Sequence, residues 1–203
     1  MSTIRSVCVY CGSSPGRGEV YTEAGHTLGR AMAKAGLRLV YGGGTKGIMG
    51  AVAEGALSAG GGVTGIIPHF LISKERTAAE LDRLDELVTT DDMHERKHIM
   101  FERSDAFVAL PGGIGTLEEI VEIMTWAQLG RHRKPIVFAN VDGFWNPMIT
   151  LLDHMREEGF VHTGHLVQPL IIDAVEDIVP GLIAAGRKTA AEAEGDEAVI
   201  GRL

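Results

Sequence analysis

The chain is 203 residues long, 45% hydrophobic and 23% charged, with a formal net charge of −8 and an isoelectric point near 5.5. That length suits one sizeable domain, and the acidic balance argues against polymeric nucleic acid, whose phosphate backbone calls for a basic face. No apolar run approaches the roughly 20 residues of a membrane-spanning helix, and the opening MSTIRSVCVYCGSS lacks the apolar core of a signal peptide, so a cytoplasmic protein with no membrane partner is expected.

In chain order, short apolar runs alternate with segments of helical period. SVCVYC (6–11) reads as a strand, 18–35 as a helix with Leu28, Met32 and Ala35 on one stripe, and LRLVY (37–41) as the next strand. Residues 47–60 read as a glycine-rich helix that packs close to a neighbour, 62–68 as a strand ended by Pro68, and 85–90 as a strand. Then follow a helix at 92–104, a strand at 105–110 and a helix at 116–129. A strand at 134–140, a helix at 145–158, a short strand at 169–173 and a helix at 174–186 complete the pattern. Such β/α alternation, with strands apolar throughout rather than at every second position, predicts an α/β fold: a doubly wound, mostly parallel, Rossmann-like sheet with helices on both faces. Residues 1–187 read as one nucleotide-binding domain. The Ala/Glu-rich stretch 188–203 has little to bury and reads as a frayed or disordered tail.

Cys8 and Cys11 spell CxxC, but Cys8 falls inside a strand, where residues three apart face opposite ways. A buried structural Cys8 is expected rather than a redox pair.

Ligands of doubly wound sheets bind at the carboxyl ends of strands. Three strand ends here carry glycine-rich turns: CGSSPG (11–16), YGGGTKG (41–47) and LPGGIGT (110–116). Gly42, Gly44 and Gly47 spell GxGxxG between a strand and a helix, yet the acidic residue expected about 20 positions on, at the end of the next strand, is missing. The dinucleotide reading falls, while the phosphate-binding half of its mechanism survives. No Gly-Lys-Ser/Thr completes a Walker loop. HERKH (94–98) spells HExxH, but Arg96 and Lys97 inside it are poor company for a dication, and no third ligand is evident, so no metal is expected.

VCVYCGSSPG, VYGGGTKGIMG, DMHERKHIM, DAFVALPGGIGTLEEIVEIMTWAQLG and NVDGFWNPM together resemble the LONELY GUY (LOG) family, from about Val7 to about Ile172. The block PGGxGTxxE, Pro111 to Glu119, is the hallmark of that resemblance. Members were once labelled lysine decarboxylases, a label no pyridoxal-phosphate lysine motif supports here. The resemblance implies a phosphoribohydrolase that cleaves the N-glycosidic bond of adenosine 5′-monophosphates, often N6-modified, to a free base (a cytokinin or adenine) and ribose 5-phosphate, with no cofactor. It implies Arg96 and Glu119 as the catalytic pair, substrate contacts at Glu75, Lys97 and Thr125, and a homodimer with the site near its interface. Met93 is expected to line the base pocket. The amides of Gly113, Gly115 and Thr116 would cradle the phosphate, with donors added by Gly43, Gly44 and Thr45, and Ile114, Leu117 and Glu118 complete the substrate-facing block.

Read from the residues alone, the glutamates of helix 116–129 form a solvated face, and Leu117, Ile120, Val121 and Met124 form its core stripe. Position within the block is what singles out Glu119. Trp126 and Trp145 read as packing or interface residues. A non-catalytic nucleotide-binding regulatory protein is the alternative on the same cradle.

Overall fold

The computed structural model describes residues 4–75, 84–161 and 168–200, with side chains up to Ile72 and Ala191 at the ends of the first and last stretches. Its strands are β1 (Ser6–Tyr10), β2 (Arg38–Tyr41), β3 (Val63–Pro68), β4 (Glu86–Thr90), β5 (Ala106–Ala109), β6 (Ile136–Ala139) and β7 (Leu170–Ile172). The helices are α1 (Glu19–Lys34), α2 (Gly47–Ser58), α3 (His69–Glu75), α4 (Met93–Glu102), α5 (Ile114–Gln128), α6 (Asn146–Glu157) and α7 (Ile178–Ile200).

One parallel sheet contains all of these strands, in the order β4-β3-β2-β1-β5-β6-β7. The chain starts in the middle, winds outward through β4, then crosses back to lay β5 on the other side of β1. The carboxyl ends of β1 and β5 therefore flank the switch point, where a doubly wound sheet opens a crevice.

Alternation along each strand feeds two cores. Val7, Val9, Leu39, Val63 and Val108 pack with Leu28 and Met32 of α1, Val52 of α2 and Ile178 of α7. Cys8, Tyr10, Val40, Ile66 and Phe107 face the other way, onto Met100 of α4 and Ile120 and Ile123 of α5. Because both faces are covered, β3, β5 and β6 are buried at every position, which is why they read as unbroken apolar runs. The two cysteines follow the same parity: Cys8 and Cys11 are free, buried and in opposite cores.

The glycines of α2 do bring a neighbour close. A Cβ on Gly55 would lie 2.3 Å from the His26 carbonyl oxygen, and one on Gly29 would lie 2.2 Å from that of Val52, so α1 and α2 meet backbone to backbone.

Several expectations need correction. Helix α3 was not foreseen; its seven residues are too few for a helical period to stand out. Ala35 is the exposed C-cap of α1, and the buried stripe there runs through Ala24, Leu28 and Met32. In α5 the core side is Ile120, Ile123, Met124 and Ala127, while Val121 is exposed, a rotation of the stripe toward Ile123. Helix α7 spans Ile178–Ile200, so its backbone runs on into the Ala/Glu-rich stretch; alanine and glutamate are strong helix formers even where little is buried.

Candidate active site

Contacts among the three glycine-rich turns show why they must be glycine-rich. The Gly12 amide donates to the Pro111 carbonyl at 3.1 Å, and the amides of Ile48 and Met49 donate to the Gly12 carbonyl at 3.0 and 3.2 Å. A Cβ on Gly112 would lie 2.1 Å from Thr116 Oγ1 and 2.9 Å from the Gly12 nitrogen. Gly47 combines a left-handed φ of +57° with a missing Cβ that would strike Ser13 at 2.5 Å. The turns after β1, β2 and β5 thus lock together at the switch point, as their common position at strand ends predicts.

Helix α5 begins there. Its N-cap is Gly113, no side chain caps it, and a Cβ on Gly113 or Gly115 would meet nothing within 4 Å. Gly113, Ile114 and Gly115 are exposed and Thr116 is buried. The helix therefore presents first-turn N–H groups and the positive end of its dipole to open space, an arrangement suited to an anion. Glu119 follows one turn after Thr116 and is half-buried. Gly43 and Gly44 are buried and Thr45 half-buried in the neighbouring turn.

Arg96, on α4, is 5% exposed. Its Nε donates to the Ile66 carbonyl at 3.2 Å, its Nη2 to the Gly42 carbonyl at 3.1 Å, and its Nη1 lies 3.6 Å from the Met93 sulfur. The main-chain oxygens at the ends of β2 and β3 solvate the guanidinium without cancelling its charge. Gly42 is essential to this seat, since a Cβ there would sit 2.1 Å from Arg96 Nη2. That first glycine of the apparent dinucleotide fingerprint makes room for an arginine.

Both site charges reach the end of β1. Burial raises the Cys11 thiol pKa well above its ordinary value, the Glu119 carboxylate raises it further, and the Arg96 guanidinium opposes. Cys8 is likewise raised by burial; Tyr10 hydrogen bonding lowers it, and the same two charges act on it with opposite signs. Neither cysteine is a thiolate.

Lys97 is 8% exposed and engaged: its Nζ lies 2.5 Å from Glu118 Oε1 and 3.1 Å from Glu122 Oε1. Burial pulls this ammonium's pKa down, but the hydrogen bonds to the two glutamates outweigh it, and the net direction is up. The solvated-glutamate reading therefore fails for Glu122, which is half-buried, while Glu118 stays exposed to solvent as it pairs with Lys97. Thr125 is exposed, with Oγ1 on the Val121 carbonyl at 2.8 Å. It lies nine residues past Thr116, about 14 Å along the helix, so it is not at the anion-binding end of α5. The Glu75 side chain lies outside the described residues. His94 and His98 are exposed, and Glu95 is used at the start of α4: Asp92 accepts from the amides of His94 and Glu95, and Glu95 accepts from that of Asp91 at 2.8 Å. Of the HExxH string, Glu95 takes part in capping α4, whose N-cap is Asp92.

Trp145 is buried with its indole N–H on the Ala109 carbonyl at 3.0 Å, and Trp126 packs edge-on against Phe101, so both serve packing as expected. A cleft of about 600 Å³ lies at the opposite end of the sheet, among Ser6, Arg38, Thr64, Glu86 and Arg103. Glu86 there is paired with Arg103, and Thr64 bridges Glu86 to Arg38.

The comparisons fit this geometry. A family model described as "Possible lysine decarboxylase" matches residues 49–182. Cytokinin riboside 5′-monophosphate phosphoribohydrolase LOG5 of Arabidopsis thaliana is 42% identical over 198 residues, covering 92% of this chain and 85% of its own length. The cytokinin riboside 5′-monophosphate phosphoribohydrolase of Rhodococcoides fascians is 42% identical over 185 residues, covering 91% and 90%. The chain belongs to the LOG family. Among solved structures, the Moco carrier protein of Chlamydomonas reinhardtii has a TM-score of 0.67 at 21% identity, over 91% of this chain and 98% of that one, a likeness of fold alone.

For this LOG-family site, sequence reasoning missed Gly42 and Glu122. The signal for Gly42 was hidden inside a misleading fingerprint. Glu122 was visible only as the i+4 partner of Glu118, a spacing that puts both on one helical face.

Proposed function

We propose that this chain hydrolyses the N-glycosidic bond of adenosine 5′-monophosphates, N6-modified or plain, releasing the free base and ribose 5-phosphate. The observation that carries this reading is an uncapped α5 N-terminus with a carboxylate one turn in, at the edge where buried Arg96 is held by carbonyls. The phosphate sits on the amides of Gly113, Ile114, Gly115 and Thr116, with help from Gly43, Gly44 and Thr45. The ribose then falls beside Glu119, with Leu117 and Glu118 alongside, and the base lies toward Arg96 and Met93. The bond between C1′ and the base nitrogen breaks with its electron pair leaving on the base, and the anomeric carbon passes through an oxocarbenium-like state. Glu119 stabilises that positive charge and takes a proton from the attacking water, whose oxygen bonds to C1′; Arg96 stabilises the negative charge growing on the base nitrogen, which takes up a proton from solvent as Glu119 gives its own back, so that one water is consumed.

In this reading Lys97 supports the substrate surface through Glu118, Glu75 contributes from the end of α3, and Thr125 acts across an interface, in the site of a second copy. A homodimer is part of this reading, supported by the apolar surface that Ile114, Val121 and Leu129 expose on and just beyond α5. Among the described residues no helix is long and apolar enough to cross a membrane. Two free cysteines fit a reducing compartment, and we place the protein in the cytoplasm.

Every role in this scheme falls to a side chain or amide of the chain. The test is base release from AMP and isopentenyladenosine monophosphate with EDTA present, for wild type and Glu119→Ala. Release by the wild type, reduced at least about 10²-fold in the variant, supports the reading. Tight AMP binding without release would instead make the chain a regulatory nucleotide-binding protein.

A further inference from the structure

The Lys97 ammonium joins two helices that carry different halves of the proposed chemistry. Lys97 follows Arg96 on α4; Glu118 precedes Glu119 on α5. Glu118 and Glu122, one turn apart on α5, hold the Lys97 Nζ between them at 2.5 and 3.1 Å. The two carboxylates are not equivalent. The Glu118 side chain is 53% exposed, whereas that of Glu122 is 26% exposed and that of Lys97 10%. An exposed pair is screened and contributes little, so the more sheltered carboxylate is the firmer anchor. One turn further along both helices, Phe101 of α4 packs edge-on against Trp126 of α5 with centroids 4.8 Å apart. The ion cluster and the ring pair fix α4 lengthwise against α5.

We infer that Glu122 is a positioning residue for glycosidic cleavage: it fixes the Lys97 ammonium and thereby the register between the turn carrying Arg96 and the turn carrying Glu119. This rests on the roles given above to Arg96 and Glu119. Glu122 sits one turn beyond Glu118, on the side away from the anion-binding end of α5, and acts through Lys97 rather than on the substrate. Without it, the ammonium keeps only the exposed Glu118, which adjoins the substrate, and the strut loosens where alignment matters most.

The experiment compares Glu122→Gln, Lys97→Met and the double variant. Glu122→Gln keeps the side chain's size and removes its charge. It should lower kcat for AMP by about tenfold to 10²-fold, the scale of a small misalignment, with KM changed far less. In the Lys97→Met background the same substitution should cost nothing further, because its route is already cut. An unchanged kcat overturns the inference, and so does an equal loss in the Lys97→Met background. Amide hydrogen exchange gives a readout independent of turnover: the α4 turn around Arg96 and Lys97 should exchange faster in Glu122→Gln while β1 and β5 stay protected. Unchanged exchange in α4 counts against the strut. If the wild type releases no base, the glycosidase reading fails and exchange alone decides the strut. If Glu122→Gln does not fold, Glu122→Met with Lys97→Met leaves neither of those charges behind; turnover equal to Lys97→Met alone supports the inference, and a further loss overturns it.

Discussion

Arg96 shows how a single side chain is prepared by residues far away in sequence. Gly42, 54 positions earlier, gives it both a carbonyl to bind and the space to reach it. A methyl group at position 42 would lie 2.1 Å from Nη2, and the guanidinium would have to move off the ends of β2 and β3. Gly42→Ala is therefore expected to keep the sheet intact but lower kcat by roughly 10²-fold, the cost of about 1 Å of misplacement. Steady-state kinetics beside a thermal melt checks this; a fully active, folded Gly42→Ala would show that the carbonyl seat does not set the arginine's position. At this scale the sequence was readable in part. Arg96 and Glu119 stood out only through the resemblance, since an isolated arginine or glutamate reads as surface. Gly42 was visible as a glycine but mistaken in purpose, because a close approach by a side chain and one by a phosphate demand the same absence of Cβ. The use of Glu118 and Glu122 was not legible: helical spacing puts them on one face, but nothing local says that a lysine on another helix faces them.

Element boundaries followed from periodicity and turn chemistry, and strand parity correctly sent Cys8 and Cys11 to opposite cores. The errors arose where local signals were short or ambiguous, as in α3, or where adjacent apolar residues offered two stripes. In α5, both Val121 and Ile123 are apolar, and only the tertiary core, where Ile123 joins the buried cluster that also holds Met100 and Phe138, decides that Ile123 goes inside. The same helix is anchored near its end by a residue with no signature at all. His132, buried in the connection to β6, has its Nε2 2.9 Å from the Ile123 carbonyl and accepts the Lys134 amide on Nδ1 at 3.1 Å. With one nitrogen accepting, the other must donate, so the ring is neutral. Burial lowers its pKa below the ordinary 6.5, with the nearby Lys134 charge acting in the same direction. The unfolded chain therefore binds the proton more readily between the depressed folded value and 6.5, and stability rises with pH across that window. Unfolding by urea should show the protein losing stability as pH falls below 6.5, and His132→Gln, whose amide can both donate and accept, should lose less. An equal pH slope in the variant would move the effect to other groups.

Across the whole molecule, the strand order explains why the site lies where it does. Three turns distant in sequence converge because β1 is central, with β2 on one side and β5 on the other, and each turn leaves the same end of the sheet. Alternating β/α segments foretold that convergence, though not which strands neighbour one another; order across a sheet depends on crossovers that leave little trace in periodicity. Among the described residues, two large apolar side chains at the ends of α5 stand exposed. Ile114 is 82% exposed at the start of α5, and Leu129 is 71% exposed just after its end. Between them lies Thr125, too far along the helix to meet a phosphate bound at its own N-terminus. A second copy packed along α5 would bury the apolar residues and carry Thr125 to a neighbouring site, uniting two observations that are unrelated within a monomer. Leu129 touches none of the proposed chemistry, so Leu129→Glu is a clean probe. In sedimentation equilibrium the wild type should run as a dimer, and the variant should dissociate at least about tenfold more readily, the effect of roughly 1.4 kcal/mol at an interface. Base release per chain should fall with the dimer fraction and recover as the protein is concentrated. A monomeric variant with full activity at every concentration would place the complete site, Thr125 aside, within a single chain.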